Sequence, residues 1–87
     1  MSYELIILPK AEKELRKLPR QVFLKIDAAI LALSDDPRPH LCKKLTGFAD
    51  IYRIKVSDYR VLYRIEDKQL IIEVIRVANR KDVYKKL

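Results

Sequence analysis

At 87 residues, 49% of them apolar and 36% charged, the chain is sized for one domain (residues 1–87) with a single modest core. A lone cysteine, Cys42, excludes a disulfide framework, and with one histidine, His40, it cannot build a zinc site, so no metal or cofactor is expected. The net charge of +7 is placed unevenly: residues 38–87 carry thirteen Lys/Arg against six Asp/Glu, whereas residues 1–37 are balanced at six and six. The back half is therefore expected to meet a polyanion, of which nucleic acid is the commonest. No apolar run reaches transmembrane length, the first residues lack the pattern of a signal peptide, and a lone cysteine fits a reducing cytoplasm, where the protein is expected.

In chain order, residues 3–8 are rich in strand formers and end at Pro9, which suits the first turn of a helix because its missing N–H would have no partner there. The apolar run predicts a strand buried on both faces or against helices. Ala11, Leu15 and Leu18 then fall at helical spacing up to Pro19, which ends one helix and opens a second. In the second, Val22, Ile26, Ala29, Ile30 and Leu33 form a stripe, broadened by Phe23, Ala28 and Ala32. Residues 34–40 are a turn-rich connector holding His40, and Gly47, the only glycine, is a candidate for a positive-φ turn. The apolar run over residues 70–77 predicts the central strand of a sheet. Asp82 and Lys86, four apart, suggest a final helical turn. The pattern is α+β: a small antiparallel sheet with an N-terminal helical hairpin packed on one face, in the order β-α-α-β-β-β.

The most informative stretch is residues 52–65, two alternating strands about a turn at Ser57 and Asp58. A period of two places Tyr52, Ile54 and Val56 on one face and Arg53 and Lys55 on the other. In the second strand, Tyr59, Val61, Tyr63 and Ile65 share one face, while Arg60 and Arg64 flank Leu62 on the opposite one. Pairing these strands brings Arg53, Lys55 and Arg60 within reach of one phosphate, since cations gathered on one sheet face repel each other and favour an anion. A solvated polar sheet face accounts for the alternation equally well. His40, the one side chain with an unperturbed pKa near neutrality, lies in a predicted loop with no partner to orient it.

These segments, taken in order, resemble the RelE/ParE superfamily of toxin–antitoxin toxins, in particular its RelE-like branch. The resemblance runs from residues 11–19 of the helical hairpin, through Lys44-Leu45-Thr46-Gly47 and residues 52–63, to Asn79-Arg80-Lys81-Asp82-Val83-Tyr84. It implies a metal-independent, ribosome-dependent endoribonuclease that cuts mRNA in the A site, where the ribose 2′-OH attacks the adjacent phosphate to give a 2′,3′-cyclic phosphate. It also implies a cognate RelB-like antitoxin with an acidic amphipathic helix, and a toxin–antitoxin complex able to bind operator DNA. Carried over by motif, the catalytic residues are Arg53, Lys55, Arg60, Arg80 and Tyr84; Lys43, Lys44 and Lys81 of the basic back half are expected to bind RNA. Arg53 stands where well-described members of the family have a lysine thought to accept the 2′-OH proton, and arginine stays protonated in proteins. Lys55 is then the substitute base, with Tyr84 second. The same resemblance allows a ParE-like inhibitor of DNA gyrase, and the basic hairpin alone allows a non-catalytic nucleic-acid-binding module or co-repressor.

Overall fold

The computed structural model describes residues 2–82. Tyr84 and the helical turn expected near Lys86 lie outside the described residues. The order is β1 (Glu4–Ile7), α1 (Pro9–Arg16), α2 (Arg20–Leu33), β2 (Lys43–Lys44), β3 (Ile51–Val56), β4 (Tyr59–Glu66) and β5 (Ile71–Asn79). The five strands form one sheet in the order β1-β5-β4-β3-β2.

The helices start where proline allows. Pro9 occupies the first turn of α1, and Pro19 stands in extended geometry at the N-cap of α2, which keeps the two helices from merging. Ala11 and Leu15 of α1 and Ile26, Ile30 and Leu33 of α2 are buried against Ile54, Val61, Tyr63, Ile65, Ile72, Val74 and Val77 of the sheet. Burying each of the large aliphatic side chains contributes about 1.5–3 kcal/mol, so the helical hairpin is held mainly by its apolar stripe. Ala28 and Ala32, expected to broaden that stripe, are exposed on the outer side of α2.

The sheet departs from the expectation in four ways. β1 pairs with β5 in parallel, Glu4 opposite Ile71 through Ile7 opposite Val74, so the otherwise antiparallel sheet has one parallel edge. β1 is that edge rather than a strand buried on both faces, and its burial alternates, with Glu4 and Ile6 exposed. The middle of the sheet is β4, with Val61, Leu62 and Tyr63 fully buried, while β5 is its inner neighbour. The two-residue β2 was not expected from the connector sequence; it pairs Lys43 with Arg53 and Lys44 with Tyr52.

The hairpin itself follows the alternation. β3 and β4 pair from Ile51 opposite Arg64 to Val56 opposite Tyr59, around Ser57 with φ of 54°. A positive φ at the first turn residue matches the twist of a tight hairpin. Gly47, at φ 85°, makes the positive-φ turn ahead of β3 that its isolation suggested. One irregularity separates the pairs Leu62–Arg76 and Tyr63–Val74, leaving Ile75 as the extra residue of a β-bulge.

Candidate nucleic-acid interface and active site

Directly paired residues share a face of a sheet. On the face away from the helices, one row therefore runs Lys43, Arg53, Leu62 and Arg76, and the next runs Lys55, Arg60 and Ala78. Lys55 and Arg60 are opposite one another, and Arg53 is diagonal to Arg60. A third row holds Ile51, Arg64 and Glu73, where Arg64 donates to Glu73 at 3.1 Å and is neutralised. Arg76 is similarly matched, donating through Nη2 to Glu14 Oε2 at 3.0 Å. Among the described residues, Lys43, Arg53, Lys55 and Arg60 form no salt bridge; the Arg60 guanidinium donates only to its neighbour's carbonyl, Tyr59 O, at 3.1 Å.

This face has an apolar floor that the alternation did not disclose. Leu62, between Arg60 and Arg64, is completely buried by Ala78, Leu45 and Ile75. Packing around that floor desolvates part of the cation set: Arg53 Nη1 is buried and has no acceptor among the described residues. A buried donor left unmatched costs free energy, and Arg53 Nη1 carries that cost among the described residues. The face thus combines concentrated positive charge with a donor that lacks an acceptor.

The remaining candidates are spread more widely. Lys44 pairs with Tyr52 and so belongs to the other face at the sheet edge, apart from Lys43 and Arg53. Arg80 and Lys81 are exposed in a turn after β5, in which Arg80 N–H donates to Asp58 O at 2.9 Å. That bond extends the β4–β5 ladder by one step and carries Arg80 to the end of the hairpin near Arg60. His40 is exposed in its loop and, with Ala32, Leu33, Leu41, Ile54 and Lys55, lines a groove of about 370 Å³. The groove lies where β2 leaves the outer edge of β3 uncovered beyond Arg53. On α2, Leu24, Ala28 and Leu31 make an exposed stripe at i, i+4 and i+7.

A second polar cluster holds the connector in place. Arg38 donates to both Asp67 oxygens, at 3.3 and 2.9 Å, and lies 5.1 Å from the centre of the Tyr52 ring, which stacks on Tyr63. Tyr3 donates to Asp67 at 2.7 Å. The hydrogen bonds from Arg38, and secondarily from Tyr3, hold the Asp67 carboxyl below its ordinary value, and the bond to Asp67 raises Tyr3. Tyr63, raised chiefly by burial, donates to Pro37 O at 2.7 Å.

The least legible feature is Glu14. Its Oε1 accepts from Val77 N–H at 2.8 Å, where β5 extends past its pairing with β1, and its Oε2 accepts from Arg76. The signal was present in the helix pattern. Glu14 falls between Ala11 and Leu15 on the buried stripe of α1, where a carboxylate requires hydrogen-bond donors.

A helical hairpin on one face of a five-stranded sheet, with cations on the other that form no salt bridge among the described residues, defines a class of small α+β domains. The family described as "ParE toxin of type II toxin-antitoxin system, parDE" matches residues 5–84, and the chain belongs to this family, within the RelE/ParE superfamily. The chain is 34% identical over 83 residues to the mRNA interferase toxin RelE of Escherichia coli (strain K12), covering 93% of this chain and 86% of that one. Its fold is similar to that of the archaeal RelE–RelB complex from Pyrococcus horikoshii OT3 at a TM-score of 0.82 and 27% identity, covering 95% of this chain and 100% of the other. It is also similar to the intact RelBE toxin–antitoxin complex of E. coli, at a TM-score of 0.80 and 31% identity, with coverage of 90% and 96%.

Proposed function

We propose that this toxin is a ribosome-dependent endoribonuclease. The observation that carries the reading is the Lys55–Arg60 pair beside Arg53, three cations on one sheet face that form no salt bridge among the described residues. Such a face favours an anion that gains charge as it reacts. In the proposed reaction the ribose 2′-oxygen forms a bond to phosphorus, and the bond to the 5′-oxygen breaks. The neutral amine of Lys55 takes the 2′-OH proton, and the leaving 5′-oxygen takes a proton from solvent water. The products are a 2′,3′-cyclic phosphate and a 5′-OH. Arg53 and Arg60 stabilise the pentacoordinate phosphorus, the kind of electrostatic contribution that is commonly the largest. Lys55 is the proposed base, Arg80 serves the leaving oxygen, and Tyr84 orients the nucleotide. Lys43 extends the cationic track for the message backbone, while Lys44 and Lys81 contact phosphate at its margins.

The proposed partner is an antitoxin of the RelB kind, as in the complexes of the similar toxins. The exposed Leu24–Ala28–Leu31 stripe suits the apolar side of an amphipathic helix. A ParE-like action on DNA gyrase is the second reading, favoured by the description of the matched family. Adding purified protein in parallel to cell-free translation and to a gyrase supercoiling reaction separates them. Translation arrest with normal supercoiling is expected; the reverse result overturns the nuclease reading.

A further inference from the structure

The turn that carries Arg80 and Lys81 is tied at every residue. Lys81 N–H donates to Asn79 Oδ1 at 3.1 Å, and Asp82 N–H donates to Asn79 O at 2.8 Å. Arg80 N–H is fixed to the hairpin turn through Asp58 O. The far end is held by Arg76, whose Nη1 donates to Asp82 O at 3.2 Å while its Nη2 is on Glu14. Arg76 is 8% exposed, the only charged residue among the buried ones described. Its guanidinium therefore links α1 to the backbone just before Tyr84, with both ends of the planar fork in use. A lysine could not span both acceptors with one ammonium group. Glu14 in turn is fixed by Val77 N–H, so the clasp rests on the sheet edge.

We propose that Arg76, locked by Glu14, is a positioning residue for the basic face. It sets the turn over residues 79–82 so that Arg80 stands at the hairpin end beside the Lys55–Arg60 pair. The catalytic part of this inference rests on the nuclease reading; the clasp itself does not. Misplacement of a reacting or stabilising group by about 1 Å can cost on the order of a hundredfold in rate.

The test uses the full chain in four forms: wild type, Arg76→Gln, Arg76→Lys, and Glu14→Gln combined with Arg76→Gln. The last leaves no unpaired buried charge and so guards against a variant that fails to fold. Amide hydrogen exchange at Arg80, Lys81 and Asp82 is read beside single-turnover cleavage on programmed ribosomes. Arg76→Gln and Arg76→Lys are expected to speed exchange at these three amides by about tenfold or more, with core amides of β4 unchanged. Cleavage is expected to fall by roughly 10- to 100-fold in maximal rate, with the ribosome concentration for half-maximal rate unchanged. The double variant should follow Arg76→Gln. Unchanged exchange at these amides in folded variants overturns the clasp, and faster exchange with full cleavage overturns the positioning role. A wild type that cuts no message, with exchange behaving as expected, refutes the nuclease reading and leaves the clasp supported.

Discussion

Replacing Arg60 with glutamine separates a functional cation from a structural one. Lys55 and Arg60 are directly opposed across β3 and β4, so their Cβ atoms lie about 5 Å apart. With the charged ends splayed to about 8 Å, their repulsion is about 0.5 kcal/mol at the dielectric of water and about 2 kcal/mol at an effective value near 20. Both side chains reach solvent, and at physiological salt the Debye length is itself about 8 Å, so the lower figure applies. Arg60→Gln removes this repulsion and also the bond to Tyr59 O, a change of similar size and opposite sign. Stability is expected to stay within about 1 kcal/mol, which limits the shift in Tm to about 4–8 °C for a domain this size. Cleavage of ribosome-bound message, by contrast, should fall about 100- to 1,000-fold, the usual loss when one preorganised stabiliser of a developing negative charge is removed. Thermal unfolding and single-turnover cleavage measured on the same preparation decide it. Cleavage within threefold of wild type would refute the role given to this row. A parallel collapse of Tm would show Arg60 to be structural.

Three further outcomes are expected. Leu24→Glu combined with Leu31→Glu should leave Tm nearly unchanged, because both positions are exposed, yet weaken antitoxin binding by tenfold or more in calorimetry; unchanged binding would place the partner elsewhere. Asp67 has a folded pKa below its ordinary 3.8, so its stabilising contribution is fully present above about pH 4 and is lost as pH falls through the lower folded value. An NMR titration should therefore show Arg38→Ala moving Asp67 upward, and an unmoved titration would remove Arg38 as the cause. Ile30→Ala, at a position only 1% exposed, should cost about 2–5 kcal/mol in urea unfolding, whereas a loss below about 1 kcal/mol would contradict the packing of α2 on the sheet.

The elements whose faces differ in polarity were legible in the sequence. Tyr52, Ile54 and Val56 could be separated from Arg53 and Lys55 because a strand has a strict period of two, and that period placed the cations on one face. The prolines marked both helix starts because proline lacks the donor a helix interior needs. Strand direction was less accessible: nothing in residues 3–8 records that β1 will run parallel to β5, since that follows from where the chain turns after packing. In the sequence, Leu62 stands out only as a residue between two arginines. Its burial depends on Leu45, Ile75 and Ala78, which come from three other segments. The Glu14–Arg76 pair was hidden for the same reason, although each member interrupts an apolar pattern. A charge at such a position calls for a partner without naming it.

The central claim is that the Arg53, Lys55 and Arg60 face cuts message on the ribosome. The most direct measurement is to give the purified protein a short message bound to ribosomes, beside the same message free, and to map the ends. Lys55→Ala and Tyr84→Phe are run with wild type. A cut is expected only on ribosomes, at the A site, leaving a 2′,3′-cyclic phosphate and a 5′-OH, with Lys55→Ala slowed most. An uncut message on ribosomes, from protein that still arrests cell growth, would contradict the claim.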